Sequence, residues 1–311
     1  MAAQEGLITM RNIKEVSTDG LRVIGSGGLS TVYAFSEDTL LKLYPSNMLL
    51  TDIEREEKSA RAACDAGIST AGTYGIVRSG DQYGILFEWV KGDLLADLLM
   101  KNPSEVSRQA PSFGRLLHSL HTTGMDASEF PSTKDIYREY LTRLNDWYTE
   151  EEIAMMRLFL DAVPDADTMI HSDFHTKNII IRDQKPVLID MAELSLGHPI
   201  FDLSAVYDLF VLLAQRSPSS VERFTGISPE LSVELWNQMI RVYADTDDPE
   251  RIHAIEGLCA DFSLFRIALS PAIYVRMSDG IKSGRVNRSR DGFLSNIKEH
   301  IERLAQLGEA F

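Results

Sequence analysis

The sequence predicts an α+β protein in two lobes: a strand-rich N-terminal part over residues 1–92 and a larger, mainly helical part over 93–311. Three observations predict it. Short runs of β-branched, aliphatic and aromatic residues separated by Gly-containing turns recur from Leu21 to Val90. After Lys91-Gly92-Asp93 the apolar spacing becomes helical, beginning with Leu94, Leu95, Leu98 and Leu99. The chain has 311 residues with 44% apolar content, enough to bury a sizeable core in one large domain or two lobes.

The charge balance narrows the function classes. A net charge of −15 argues against nonspecific nucleic-acid binding and against an anionic membrane surface. No apolar run reaches the length of a membrane span, and the N-terminus lacks a charged-then-apolar leader pattern. The two cysteines, Cys64 and Cys259, lie far apart in helical contexts, so a disulfide framework or zinc site is not expected and a reducing cytoplasm fits. A monomer or a homodimer is the expected state.

Each element follows in order. Leu21 to Ile24 reads as a strand, Gly25-Ser26-Gly27-Gly28-Leu29-Ser30 as a turn, and Thr31 to Phe35 as the returning strand. Glycine lets a backbone turn tightly and approach phosphate oxygens that a Cβ would obstruct. A strand follows where a dinucleotide fingerprint needs a helix, and no Gly-Lys-Ser/Thr of a Walker loop is present. Leu40 to Tyr44 is a third strand stopped by Pro45, with Lys42 as a charge inside an apolar run. A helix from Asp52 to Ala66 carries Glu54, Glu56 and Glu57, with Gly67 suited to end it. Glu56 is the chosen partner of Lys42, although spacing alone admits the other two. Acids in a first helical turn also suit the helix dipole without any ligand. Two further strands, Gly75–Arg78 and Tyr83–Val90, complete the lobe.

Beyond residue 93 helices dominate, including an apolar stripe of Phe113, Leu116, Leu117 and Leu120 ending at His121. His118 and His121 read as packing or capping residues. The acids between 134 and 161 read first as a solvated helix face and second as a wall for a cationic ligand. The chemistry-bearing stretch is His171-Ser172-Asp173-Phe174-His175-Thr176-Lys177-Asn178, followed by Ile179–Ile181, a polar turn, and Val187-Leu188-Ile189-Asp190. Phosphoryl transfer uses one carboxylate to orient a hydroxyl, and an amide oxygen and a second carboxylate to hold Mg2+ on the phosphates. A hairpin is expected between Asn178 and Asp190. Strand alternation would instead put His171, Asp173 and His175 on one face as a transition-metal site. Asp202 is placed to begin a helix and cap its amides. Asp279 to Asp291 reads as an exposed basic loop, and Phe293, Ile297, Ile301, Leu304 and Leu307 as a core-facing stripe.

Taken in order, the Gly-rich hairpin, Lys42, Glu56, the segment 88–92, His171-x-Asp173-x-x-x-x-Asn178, Asp190 and Asp202 resemble the aminoglycoside phosphotransferase and choline kinase group, with its bilobal protein-kinase-like fold. The resemblance implies a cleft nucleotide site for ATP, with GTP as the alternative. Gly25, Gly27, Gly28 and Ser30 would cover the phosphates, Lys42 and Glu56 would hold them, and Glu88, Trp89 and Val90 would meet the base. It implies Asp173 as catalytic base, His171 and Asp202 as its supports, and Asn178 and Asp190 as Mg2+ ligands. Ser172 stands where protein kinases often carry arginine, Met191-Ala192 replaces their Phe-Gly, and Asp202 follows Asp190 too closely for an activation loop. The implied acceptor is therefore a hydroxyl on a small molecule, with a cationic amine favoured by the acids of 134–161. A nucleotide-binding regulator without turnover is the rival reading, and a metal-dependent hydrolase the third.

Overall fold

The computed structural model describes residues 13–27, 30–273, 290–305 and 307–310. The chain divides into two units, Met1–Gly92 with Ile180–Ala192, and Asp93–Ile179 with Glu193–Phe311. This partition differs from a single cut at residue 92 by one insertion, the hairpin segment 180–192, which the sequence reading assigns to the helical part.

The first unit is built on a six-stranded sheet: β1 (Lys14–Glu15), β2 (Arg22–Ser26), β3 (Thr31–Ala34), β4 (Thr39–Leu43), β5 (Thr73–Ser79) and β6 (Gln82–Glu88), in the order β1-β5-β6-β4-β3-β2. All pairs are antiparallel except β1 with β5, which run parallel. Two-residue β1 carries no alternation that could announce it. Alternation along β4 sorts the core. Leu41 and Leu43 pack with Val77 and Leu86 on one face. Lys42 and Tyr44 point to the other, where Tyr44 packs with Ile53 and Ile85. That second face is covered by helix α1 (Leu50–Asp65), whose buried stripe runs Ile53, Glu56, Ala60, Ala63. Ala66 follows as the cap and Gly67 takes the left-handed backbone, φ 84°, that closes the helix.

The hairpin of the same unit pairs Ile179–Arg182 with Lys185–Leu188, turning through Asp183 and Gln184, both at positive φ. It is fixed to the sheet's own unit by Thr70 Oγ1 donating to Leu188 O at 2.9 Å and by Arg182 bonding Glu88. Ala71, Val90 and Val187 form a small core beneath it.

The second unit is mainly helical: α2 (Leu95–Lys101), α3 (Val106–Thr122), α4 (Thr133–Thr142), α5 (Glu150–Asp161), α6 (Ile200–Tyr207), α7 (Leu213–Arg216), α8 (Pro218–Thr225), α9 (Pro229–Tyr243) and α10 (Pro249–Ala268). Helix α3 buries Val106, Ala110, Phe113, Leu117 and Leu120 and lies along α9. The approach is close enough that a Cβ on Gly114 would stand 2.6 Å from Met239 O. An aromatic cluster of Tyr137, Phe159, Phe201, Phe262, Phe265 and Phe293 joins α4, α5, α6 and α10. The helix Ile297–Leu304 buries Ile297 and Leu304 and is clamped by Arg303 Nε donating to Asp261 Oδ2 at 2.6 Å. Two short antiparallel strands, Met169–Ile170 and Ser195–Leu196, lead into the loop at His171. No helix among the described residues is long and apolar enough to cross a membrane.

Candidate active site

In the first unit, the face of β4 that carries Lys42 meets the buried stripe of α1. Lys42 Nζ donates to Glu56 Oε1 at 2.7 Å and to Asp190 Oδ1 at 3.1 Å. Geometry thus selects among the three glutamates. Glu54 is exposed, and Glu57 is taken by Arg61 and by Thr73 Oγ1. Burial lowers the Lys42 pKa, but the carboxylates of Glu56 and Asp190 outweigh it, so the ammonium is held above its ordinary value. Asp190 sits at φ 65°, a left-handed backbone uncommon outside glycine, and its side chain is 43% exposed. Only Oδ1 is spent on Lys42. Buried Tyr44 lies beside the pair, its phenol pushed up by burial and by the Glu56 charge.

The Gly-rich turn is a β2–β3 hairpin with a register shift between Val23 and Gly25. Gly27 N bonds Ser30 O at 3.0 Å, and a Cβ on Gly27 would meet open space. Gly28 lies outside the described residues. In segment 88–90, Glu88 N bonds Gly72 O, Trp89 N bonds Asp38 O at 2.7 Å, and the Trp89 ring carries Lys91 Nζ 3.0 Å from its centre. The Glu88 carboxylate bonds Arg182, so this side chain braces the hairpin.

In the second unit, residues 171–175 form an irregular loop and Thr176–Asn178 a 3-10 turn. The alternation that would line up His171, Asp173 and His175 as metal ligands is therefore absent. Both rings instead serve the loop. His171 Nδ1 accepts from Asp173 N, and His175 Nδ1 accepts from Lys177 N, each at 3.2 Å. With Nδ1 an acceptor, His175 Nε2 carries the hydrogen and faces Asp173 Oδ1 at 3.3 Å. Asn178 Nδ2 donates to Asp173 Oδ2 and to Asp173 O, each at 2.9 Å. The Asn178 carbonyl oxygen is thereby turned away from Asp173. Partial burial raises the Asp173 carboxyl, but the hydrogen bonds from His175 and Asn178 and the favourable electrostatics of the two imidazoles outweigh it and hold it below the usual carboxylate range. The Asp173 side chain is 59% exposed. Among the described residues, no group of three His, Cys, Asp or Glu could hold a metal ion.

The expectation that Asp202 caps its own helix is corrected. It lies inside the first turn of α6, fully buried, and its oxygens serve the loop instead. Oδ2 accepts from His171 N and Oδ1 from Ser172 N, both at 2.7 Å. Ser172 stands at φ 69°, and this pair of bonds holds it there. His121 Nε2 lies 3.2 Å from Asp202 Oδ2, and His121 Nδ1 lies 2.8 Å from Tyr243 Oη. Sequence reading missed Tyr243; nothing in its local pattern announces a partner so far along the chain.

The acids of 134–161 are largely engaged by arginines. Arg138 holds Asp135 and Asp161, Arg143 holds Glu139, and Arg290 holds Glu152. Of the expected basic loop from Asp279, residues up to 289 lie outside the described residues; 290 and 291 are helical.

No curated protein matches the chain by sequence. Solved structures with the same fold include APH(2'')-IIa in a ternary complex with streptomycin and ATP, at 16% identity and TM-score 0.57, covering 90% of this chain and 93% of that one. A choline/ethanolamine kinase family protein from Mesorhizobium loti aligns at 16% identity and TM-score 0.53 over 92% of each chain. An APH(2'') enzyme bound to GDP and kanamycin aligns at 16% identity and TM-score 0.52 over 94% of each chain. The family model that matches residues 20–223 spans the Gly-rich hairpin, Lys42, Glu56, Asp173, Asn178, Asp190 and Asp202, and with it the chain belongs to the phosphotransferase enzyme family.

Proposed function

We propose that this phosphotransferase moves the γ-phosphoryl group of ATP, or of GTP, to a hydroxyl on a small molecule. The observation that carries the reading is Asp173: an exposed carboxylate fixed by Asn178 Nδ2 and His175, in a loop that Asp202 anchors. Its lowered pKa keeps it ionised at neutral pH. It would accept a hydrogen bond from the acceptor hydroxyl, orient it for in-line attack, and take the proton late, as a loose transition state requires. His175 Nε2–H and Asn178 Nδ2–H would fix the carboxylate's direction. Lys42, kept charged by Glu56, would neutralise phosphate oxygens, and the backbone of Gly25–Ser30 would cover them.

The reading includes a divalent cation. Asn178 keeps its carbonyl oxygen and Asp190 its Oδ2 clear of the hydrogen bonds described above, and oxygen donors suit Mg2+. Asn178 and Asp190 would hold the ion, which when bound would offset charge on the phosphates. Glu88 to Val90 would meet the base. ATP and GDP in the similar structures support nucleotide binding without choosing between purines.

The acceptor class is an aminoglycoside, an amino sugar, a choline-like amine or a sugar. A phosphorylation screen over these with Mg·ATP and Mg·GTP tests the proposal. Asp173→Asn should lower turnover by about 100-fold or more while nucleotide binding persists. Turnover unchanged in that variant refutes the role of Asp173.

A further inference from the structure

Three side chains from three helices form a buried line behind the catalytic loop: Tyr243 at the end of α9, His121 in the last turn of α3, and Asp202 in α6. Their exposures are 6%, 5% and 0%. We infer that Tyr243 is a positioning residue for phosphoryl transfer, acting through the tautomer of His121 on Asp202 and so on the backbone that presents Asp173. The inference rests on the phosphotransferase reading of Asp173.

The tautomer follows from the partners. Burial raises the Asp202 carboxyl, but the group is held below its ordinary value, and each of its oxygens accepts a backbone amide of the loop at 2.7 Å, so it is an ionised, acceptor-only carboxylate. The His121 nitrogen that faces it at 3.2 Å, Nε2, therefore carries the hydrogen. With the ring neutral, Nδ1 is a lone pair, and the Tyr243 hydroxyl, at 2.8 Å, is the described group that donates to it. Tyr243 is well suited, because burial first and the nearby Cys259 and Asp202 next push its phenol up and keep it protonated. Its ring is also held edge-on against His118 and His121, which fixes the direction of the hydroxyl.

The consequence reaches the loop. Asp202 Oδ2 is shared between His121 Nε2–H and His171 N–H, while Oδ1 takes Ser172 N–H. A carboxylate with three donors in a dry site has one orientation. That orientation holds Ser172 in its left-handed backbone, and Asp173 is the next residue. Removing the Tyr243 hydroxyl leaves a buried Nδ1 lone pair without a donor. The ring then moves its hydrogen to Nδ1 or turns, and Asp202 loses one of three donors.

The test is Tyr243→Phe, which keeps the ring and its packing, combined with His121→Ala and the double variant. Nitrogen-15 histidine NMR on the full chain reads the tautomer without any turnover. The wild type should show His121 protonated at Nε2, and Tyr243→Phe should show that signature lost or mixed. With the best acceptor from the screen, Tyr243→Phe should lower kcat about tenfold with the KM for ATP within about twofold. In the His121→Ala background it should lower kcat no further. An unchanged His121 tautomer in Tyr243→Phe overturns the inference whether or not the protein is active. So does an unchanged kcat, or a loss that multiplies independently with that of His121→Ala. A wild type that phosphorylates no acceptor removes the phosphotransferase reading instead, and the NMR signature still decides whether Tyr243 sets the ring.

Discussion

Replacing Glu56 by Gln perturbs one bond in a setting where its worth can be worked out. The Lys42–Glu56 contact is 2.7 Å, between side chains 15% and 6% exposed. At an effective dielectric of about 20, the bare attraction at that distance is about 6 kcal/mol. Burial of the Lys42 ammonium, the largest influence on its titration, offsets most of it. Glutamine keeps an acceptor for Nζ, and Asp190 remains at 3.1 Å, so the net loss is about 1–2 kcal/mol. Urea unfolding gives the stability change, and titration with Mg·ATP gives the affinity, expected to weaken about tenfold as Lys42 swings towards Asp190. The pH dependence has a definite sign. Lys42 is raised in the folded chain, so its contribution is fully present below its unfolded value near 10.5 and is lost only as pH rises through the higher folded one. The Glu56→Gln deficit should thus be flat from pH 6 to 9 and shrink only above pH 10. Glu54→Gln, at an exposed position of the same helix, should stay within about 0.5 kcal/mol of wild type. Equal stability and equal nucleotide affinity in Glu56→Gln and wild type would refute the reasoning.

Two further outcomes are expected. His198, buried and lowered to about 4, first by burial and in the same direction by the Lys134 charge, binds its proton later in the folded chain than in the unfolded one. Stability should be full above about pH 6.5 and fall by at most about 3 kcal/mol as pH drops towards 4, and His198→Asn should flatten that slope in urea melts at pH 7, 6 and 5. Parallel slopes in the two proteins would count against it. Gly92→Ala should destabilise by about 1–3 kcal/mol, because its Cβ would collide with the Ile181 carbonyl, whereas Gly27→Ala, facing open space, should change stability by under about 0.5 kcal/mol. Thermal or urea unfolding that ranks the two variants equally would contradict this.

The strands and helices that position the site were legible because their signals are local. Leu40–Tyr44 reads as a strand with Lys42 as its charge and Asp52–Ala66 as a helix rich in acids, whereas that Glu56 rather than Glu54 or Glu57 meets Lys42 shows only in the structure. What was not legible depends on distance along the chain. The parallel strand β1 is two residues long and finds its partner at Val77 and Arg78. Asp202 looked like a cap because a carboxylate near a helix start usually bonds its own amides. Here α6 begins two residues earlier, at Ile200, and the carboxylate meets the amides of 171 and 172 instead. The metal-site alternative failed for a related reason. It assumed strand geometry for a segment whose carboxylate–amide bonds fold it into a loop. The arginines opposite Asp135, Glu139 and Asp161 also lie on the same helices or their neighbours, so an acid count alone could not separate a paired surface from a free one.

The insertion of 180–192 into the first unit has a practical bearing on how the protein can be taken apart. The polypeptide leaves that unit at Gly92, returns to it for one hairpin, and departs again at Ala192. A fragment ending at residue 92 would lack Leu188 under Thr70, Arg182 against Glu88, and the carboxylate of Asp190 beside Lys42. Proteolysis in the turn at Asp183-Gln184 would split the hairpin between its two strands and leave Arg182 and Asp190 on separate pieces. Excised copies of the first unit would therefore need the hairpin grafted back through a linker, and assembly during synthesis cannot be finished until about residue 190 has emerged.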